Sequence, residues 1–110
     1  MNVDKQALQG VLDSAKNGGT VYYEINNSLK CELKFEGNNI KFIVCLYRNA
    51  HKYNQLLTIA QKRHAQPDQF ADIKIGTDKS MNVYAGRTLP ATTVSDVKES
   101  IENVCDFLLH

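Results

Sequence analysis

The side chains best suited to chemistry are three histidines, His51, His64 and His110, and three cysteines, Cys31, Cys45 and Cys105. A metal site needs several such ligands at spacings that let them converge, as in C-x-x-C or H-E-x-x-H. Neither motif occurs, and no histidine lies four residues from another. The expectation is no metal and no cofactor. His51 and His64 read as residues on the exposed face of a helix. A cysteine nucleophile needs a base and an orienting group beside it. Cys31 and Cys45 instead sit within apolar alternation, where a thiol acts as a small hydrophobe, and Cys105 flanks the apolar stripe of a helix. Glu24, Glu32 and Glu36 share one strand face with Lys30, Lys34 and Lys41, so a cross-strand charge ladder explains them without catalysis. Gly18-Gly19 precedes a strand, so it cannot aim helix amides at a phosphate. Gly37 belongs to a hairpin, and Gly86 lies inside a strand, where it marks a bulge or a close backbone approach. The chain therefore reads as a non-enzyme. An enzyme reading would require a deep pocket lined by His51, His64 or Cys45.

At 110 residues and a formal net charge of +1, the chain fits one domain, residues 1–110, able to bury a core without disulfide or metal. Near neutrality argues against sequence-independent nucleic-acid binding, which needs a basic surplus to displace counterions. Arg48, Lys52, Lys62 and Arg63 gather around the second helix, but Asp68 and Asp72 follow, and a solvated helix face accounts for them. No apolar run is long enough to span a bilayer, and the first residues show no signal peptide. Three cysteines without paired spacing suit reduced thiols in the cytoplasm.

Elements must hold these residues in place. Val3, Ala7, Leu8, Val11, Leu12 and Ala15 follow helical spacing and predict a helix over about residues 3–16, stopped by Asn17-Gly18-Gly19. Alternation predicts strands over 20–25, 29–36 and 40–47. Matching faces sets their registers. Across an Asn26-Asn27-Ser28 loop, Tyr23 meets Cys31 and Glu24 meets Lys30. Across an Asn38-Asn39 turn, Phe35 meets Phe42 and Glu36 meets Lys41. Cys31 and Cys45 then point to opposite faces. A second helix over about 50–65, capped by Asn49, carries Tyr53, Leu56, Leu57 and Ala60 as its stripe, with Pro67 beyond its end. Strands at 70–75 and 81–89 follow, joined by a hairpin loop at 76–80, with core faces of Ala71, Ile73 and Ile75 and of Met81, Val83 and Ala85. Val94, Val97, Ile101, Val104 and Leu108 predict a last helix capped by Thr93.

The third strand is apolar on both faces, so it should be central, or its second face should meet something else. Ile43, Cys45 and Tyr47 form that second face, and Tyr22 and Tyr84 are its expected neighbours. Either a helix covers this surface or it binds a partner. With Tyr53 and Leu57 of the second helix, these residues are the candidate interface.

The resulting class is α+β: an antiparallel five-stranded sheet with three helices in the order α-β-β-β-α-β-β-α. That order resembles the type III secretion chaperones and the related YbjN-like proteins over nearly the whole chain. The local resemblance lies in Tyr47-Arg48-Asn49, leading into the middle helix, and in Arg87-Thr88-Leu89-Pro90, leaving the fifth strand, followed by the stripe from Val94 to Leu108. The resemblance implies a cytoplasmic homodimer without enzymatic activity. It implies that the partner is another protein, bound as an extended or unfolded segment over apolar surface. Charge balance and the lack of a long apolar run argue against nucleic-acid and membrane partners. The alternative is a small immunity or inhibitor protein that blocks one folded partner.

Overall fold

The computed structural model describes residues 3–47, 55–90 and 92–109. Helix α1 runs Lys5–Ala15 and buries Leu8, Leu12 and Ala15, one stripe at four- and three-residue steps. It is shorter than expected because Asp4 caps it. The Asp4 carboxylate accepts from the N–H groups of Gln6 and Ala7 at 2.9 and 3.3 Å. Gly18 and Gly19, at φ +96° and +83°, turn the chain into the sheet.

Strands β1 (Val21–Glu24), β2 (Leu29–Glu36), β3 (Asn39–Leu46), β4 (Lys74–Thr77) and β5 (Val83–Pro90) pair antiparallel in the order β1-β2-β3-β5-β4. β3 is central, as its two apolar faces require. The β1–β2 register is the expected one, Tyr23 opposite Cys31 and Glu24 opposite Lys30. The Asn26 side chain holds that turn by accepting from the Ser28 and Leu29 N–H groups at 2.7 and 3.0 Å.

The β2–β3 register departs from expectation. Phe35 faces Ile40 and Glu36 faces Asn39, in place of Phe42 and Lys41. The turn is Gly37-Asn38, because Gly37 takes φ +60° without steric cost. Sliding a strand by two residues preserves which side chains share a face. Phe35 and Phe42 therefore still point to the core side, and Cys31 and Cys45 to opposite sides.

Among the described residues, α2 spans Gln55–Ala65; Asn49, the expected cap, and Tyr53 lie outside them. Its stripe needs correction. Ile59 is the fully buried residue, whereas Leu57 is 56% exposed. This weakly amphipathic helix is held largely by polar anchors. Gln55 and Lys62 donate to the carbonyls of Leu108 and Phe107, both at 2.7 Å, and Arg63 donates to the Ile73 carbonyl at 2.9 Å. Two of these anchors satisfy last-turn carbonyls of α4, which have no partner within that helix.

A four-residue helix, α3 (Pro67–Phe70), interrupts the expected order. Pro67 begins it, at a position where a missing N–H costs nothing. Phe70 consequently ends a helix and stacks on Phe107, ring centroids 4.8 Å apart, where a strand start was expected. The strand begins only at Lys74, Ala71 is exposed, and Ile73 keeps its buried place. The β4–β5 hairpin tip also lies further on than 76–80. Asp78 accepts from the N–H groups of Ser80 and Asn82 at 2.9 and 3.0 Å, and Met81 turns at φ +66°. Met81 is thus 56% exposed instead of facing the core.

Helix α4 (Val94–Leu109) follows its sequence pattern closely. The Thr93 hydroxyl accepts from the Asp96 N–H at 3.2 Å, and Val97, Ile101, Val104 and Leu108 are fully buried. Each contributes about 1.5–3 kcal/mol on burial, so the four together far outweigh the cap at about 1 kcal/mol. α4 packs on β3 and β5, and α1 packs on β1, β2 and α4. Glu102 ties the N-terminal segment to α4. Burial raises its carboxyl, but the Val3 N–H at 2.9 Å and Lys98 at 3.0 Å more than offset this and leave it below the usual range. Leu29, Cys31 and Leu33 of β2, the even residues 40–46 of β3, and Val83 and Ala85 of β5 form one core with these helices and with Ile59. The odd residues of β3 face the other way.

Candidate functional site

The sheet's outer face is built in cross-strand rows. One row reads Tyr22, Glu32, Ile43, Gly86 and Lys74 from β1 to β4. The next reads Glu24, Lys30, Cys45, Tyr84 and Gly76. The register therefore brings Tyr22, Ile43, Cys45 and Tyr84 onto one surface. Tyr47 lies one residue past β3 in the same outward parity, its N–H donating to the Ser28 carbonyl at 3.0 Å. Ile43, Cys45, Tyr47 and Tyr84 are half-buried, and Tyr22 is 60% exposed. Leu57 does not join them. It is exposed on α2, whose packing partners are α3 and β4 and whose one buried residue, Ile59, belongs to the core. Tyr53 lies outside the described residues.

Two glycines shape this face. A Cβ on Gly86 would stand 2.8 Å from the Phe42 carbonyl oxygen and 3.0 Å from Ile43 Cγ1. Gly86 thus marks a close backbone approach, one of the two roles its strand position suggested. A Cβ on Gly76 would stand 2.6 Å from the Tyr84 hydroxyl, so the tyrosine ring lies across β4. Beside these glycines is a cavity of about 370 Å³, with Ile43, Gly86 and Tyr84 as apolar lining and Lys41, Lys74 and Thr88 around them. Sequence reasoning missed Gly76, Lys74 and the part Lys41 plays here. Lys41 was already placed on the outward face, but that Gly76 and Lys74 lie beside it was readable only once the place of β4 next to β5 was known.

Elsewhere on the face the charges are mostly engaged. Lys34 pairs with Glu36 at 3.0 Å, and that hydrogen bond, with Lys34's charge, holds the Glu36 carboxyl below its usual range. Lys30 Nζ stands 5.1 Å from the Tyr22 ring centroid.

Among the described residues, those named for an enzyme reading lie on different elements. His64 is exposed on α2, Cys45 lies on the outer face of β3, and His51 is outside the described residues. Burial pushes the thiols of Cys31 and Cys45 up, and that of Cys105 up to about 12. Thiols so raised are protonated at neutral pH and poorly nucleophilic. Among the described residues no three histidine, cysteine, aspartate or glutamate side chains are grouped as metal ligands would be, and no helix is long and apolar enough to cross a membrane.

Solved structures containing chains similar to this one include two complexes. A chain of the HopA1-SchA chaperone-effector complex is 19% identical, with 96% of this chain and 94% of that one covered at a TM-score of 0.59. A chain of the ExsC-ExsE complex is 11% identical, with 98% and 92% covered at a TM-score of 0.64. No family model matches the chain, and no curated protein matches it by sequence. At such identities the likeness is one of fold, and it extends over almost the full length of each chain.

Proposed function

From this shared secretion-chaperone fold, we propose that the chain is a non-enzymatic protein-binding module that holds an extended segment of a partner polypeptide. The binding surface is the outer face of β3 and β5, centred on Ile43, Cys45 and Tyr84. It acts in the bacterial cytoplasm as a homodimer. The observation that carries the reading is the half-buried apolar row on the central strand, on the face opposite the helical core. Such a row is costly to leave in water and offers both apolar contact and alternating side-chain pockets to an extended chain. The similar chain of a chaperone-effector complex supports the same reading.

The experiment is capture of the partner on immobilised chain, followed by brief protease digestion of the complex. A chaperone-like client is digested everywhere except in the segment lying on the sheet. A partner that stays resistant throughout, free as well as bound, is a folded target and supports the inhibitor alternative instead. Sedimentation of the chain alone at micromolar concentration is expected to show a dimer, and a clean monomer removes the homodimer from the reading.

A further inference from the structure

The cavity beside Gly86 carries more than apolar lining. Lys41 and Lys74 flank it, from β3 and from β4. Neither lysine makes an ion pair or hydrogen bond among the described residues, in contrast to Lys34, Lys62 and Lys98. Lys41 also stands directly opposite Lys34 in the β2–β3 register, a like-charge pairing that a sheet tolerates at a cost. The acidic groups nearby are already engaged. Asp72, on the rim, is held by Arg87 at 2.8 and 3.1 Å, and Glu36 is bonded directly to Lys34, with Lys41 and Lys74 acting on it only at longer range. Glu32, on β2 opposite Ile43, is not in its lining but borders a neighbouring cavity with Lys34 and Lys41. The cavity thus combines an apolar floor with two ammonium groups that have no direct ion-pair partner among the described residues, on a chain whose net charge is only +1.

We propose that this cavity selects acidic segments: it seats an apolar side chain of the extended partner against Ile43 and Tyr84 while Lys41 and Lys74 hold carboxylates on the residues flanking it. In an extended chain, side chains two apart share a face and immediate neighbours point away from each other. Long lysine stems can reach around the seated side chain to carboxylates on either side of it. The proposal rests on the protein-binding reading above and specifies the chemistry of the segment bound.

The test uses three fluorescently labelled extended peptides that alternate leucine with aspartate, with serine or with lysine. Their binding to the full chain is followed by fluorescence anisotropy. Two exposed ion pairs predict that the aspartate peptide binds about tenfold tighter than the serine peptide, with the lysine peptide weakest. The preference shrinks as salt rises from about 0.05 M to about 0.5 M, because exposed charges are screened. The variant K41Q/K74Q, altered only at surface side chains and checked for folding by circular dichroism, binds the aspartate and serine peptides equally. An aspartate preference that survives in this variant overturns the proposal by placing the acidic contact elsewhere. Equal binding of aspartate and serine peptides to the unaltered chain overturns the acidic selectivity and leaves polypeptide binding standing. Failure of all three peptides at millimolar concentration overturns both.

Discussion

Replacing Ile59 by aspartate is expected to unfold the domain, whereas the same change at Leu57, two residues away on the same helix, is expected to leave it folded. Ile59 is fully buried in the shared core, and Leu57 is 56% exposed. A carboxylate at position 59 would be buried in the apolar cluster, where Arg63, one turn on, is already engaged in donating to the Ile73 carbonyl, and such burial costs about 3–5 kcal/mol. That is a large part of the total stability, about 5–15 kcal/mol, of an ordinary domain. A surface change like L57D stays within about 0.5 kcal/mol. Urea denaturation followed by circular dichroism separates the two. Equal midpoints for I59D and L57D would show that α2 presents a different face to the core.

The second large effect is at Gly86. Valine suits a strand interior by propensity, which favours it over glycine by up to about 1 kcal/mol. Here the steric term outweighs propensity. The new Cβ would press at 2.8 Å on the Phe42 carbonyl oxygen, which belongs to the central strand and cannot recede between β2 and β5. Forcing atoms into so tight a contact costs about 1–3 kcal/mol, so G86V is expected to lower the urea midpoint. Gly10 is the natural control. It lies in α1 with nothing within 4 Å of its added Cβ, and G10A is expected to raise stability by about 0.5–1 kcal/mol. If G86V matched the unaltered chain, the close approach of β5 to β3 would be refuted.

How far the sequence could be read depended on how strongly each segment is amphipathic. β2 and α4 alternate or repeat so regularly that their buried faces followed directly from the pattern. The Asn26-Asn27-Ser28 turn was legible because that loop length matches the faces of β1 and β2. The β2–β3 turn was ambiguous, since Gly37-Asn38 and Asn38-Asn39 both preserve the alternation. Only the backbone freedom of Gly37 decides between them. α2 was misread at Leu57, which lies off the stripe that Leu56 and Ile59 present to the core, and part of its attachment is polar, through Gln55, Lys62 and Arg63. Pro67 was read as a helix terminator and also starts a helix. For the candidate site, outward parity placed Ile43 and Cys45 together, and Tyr84 and Tyr22 fell beside them through pairing. Leu57 belongs to another element. The cavity with Lys41 and Lys74 was not legible, because the register of β4 against β5 is a non-local pairing that no short pattern encodes.

The central claim is that the outer face of β3 and β5 binds the partner polypeptide. Its most direct test is the double variant I43S/Y84S, which removes two apolar side chains at the centre of that face, one from each strand, while leaving the core face of both strands intact. Circular dichroism and a cooperative urea transition establish that the variant is folded. Its affinity for the captured partner is then compared with that of the unaltered chain. The account predicts a folded protein whose affinity falls at least about tenfold, the loss expected when two half-buried apolar contacts are removed. A folded variant that binds its partner as tightly as the unaltered chain would contradict it.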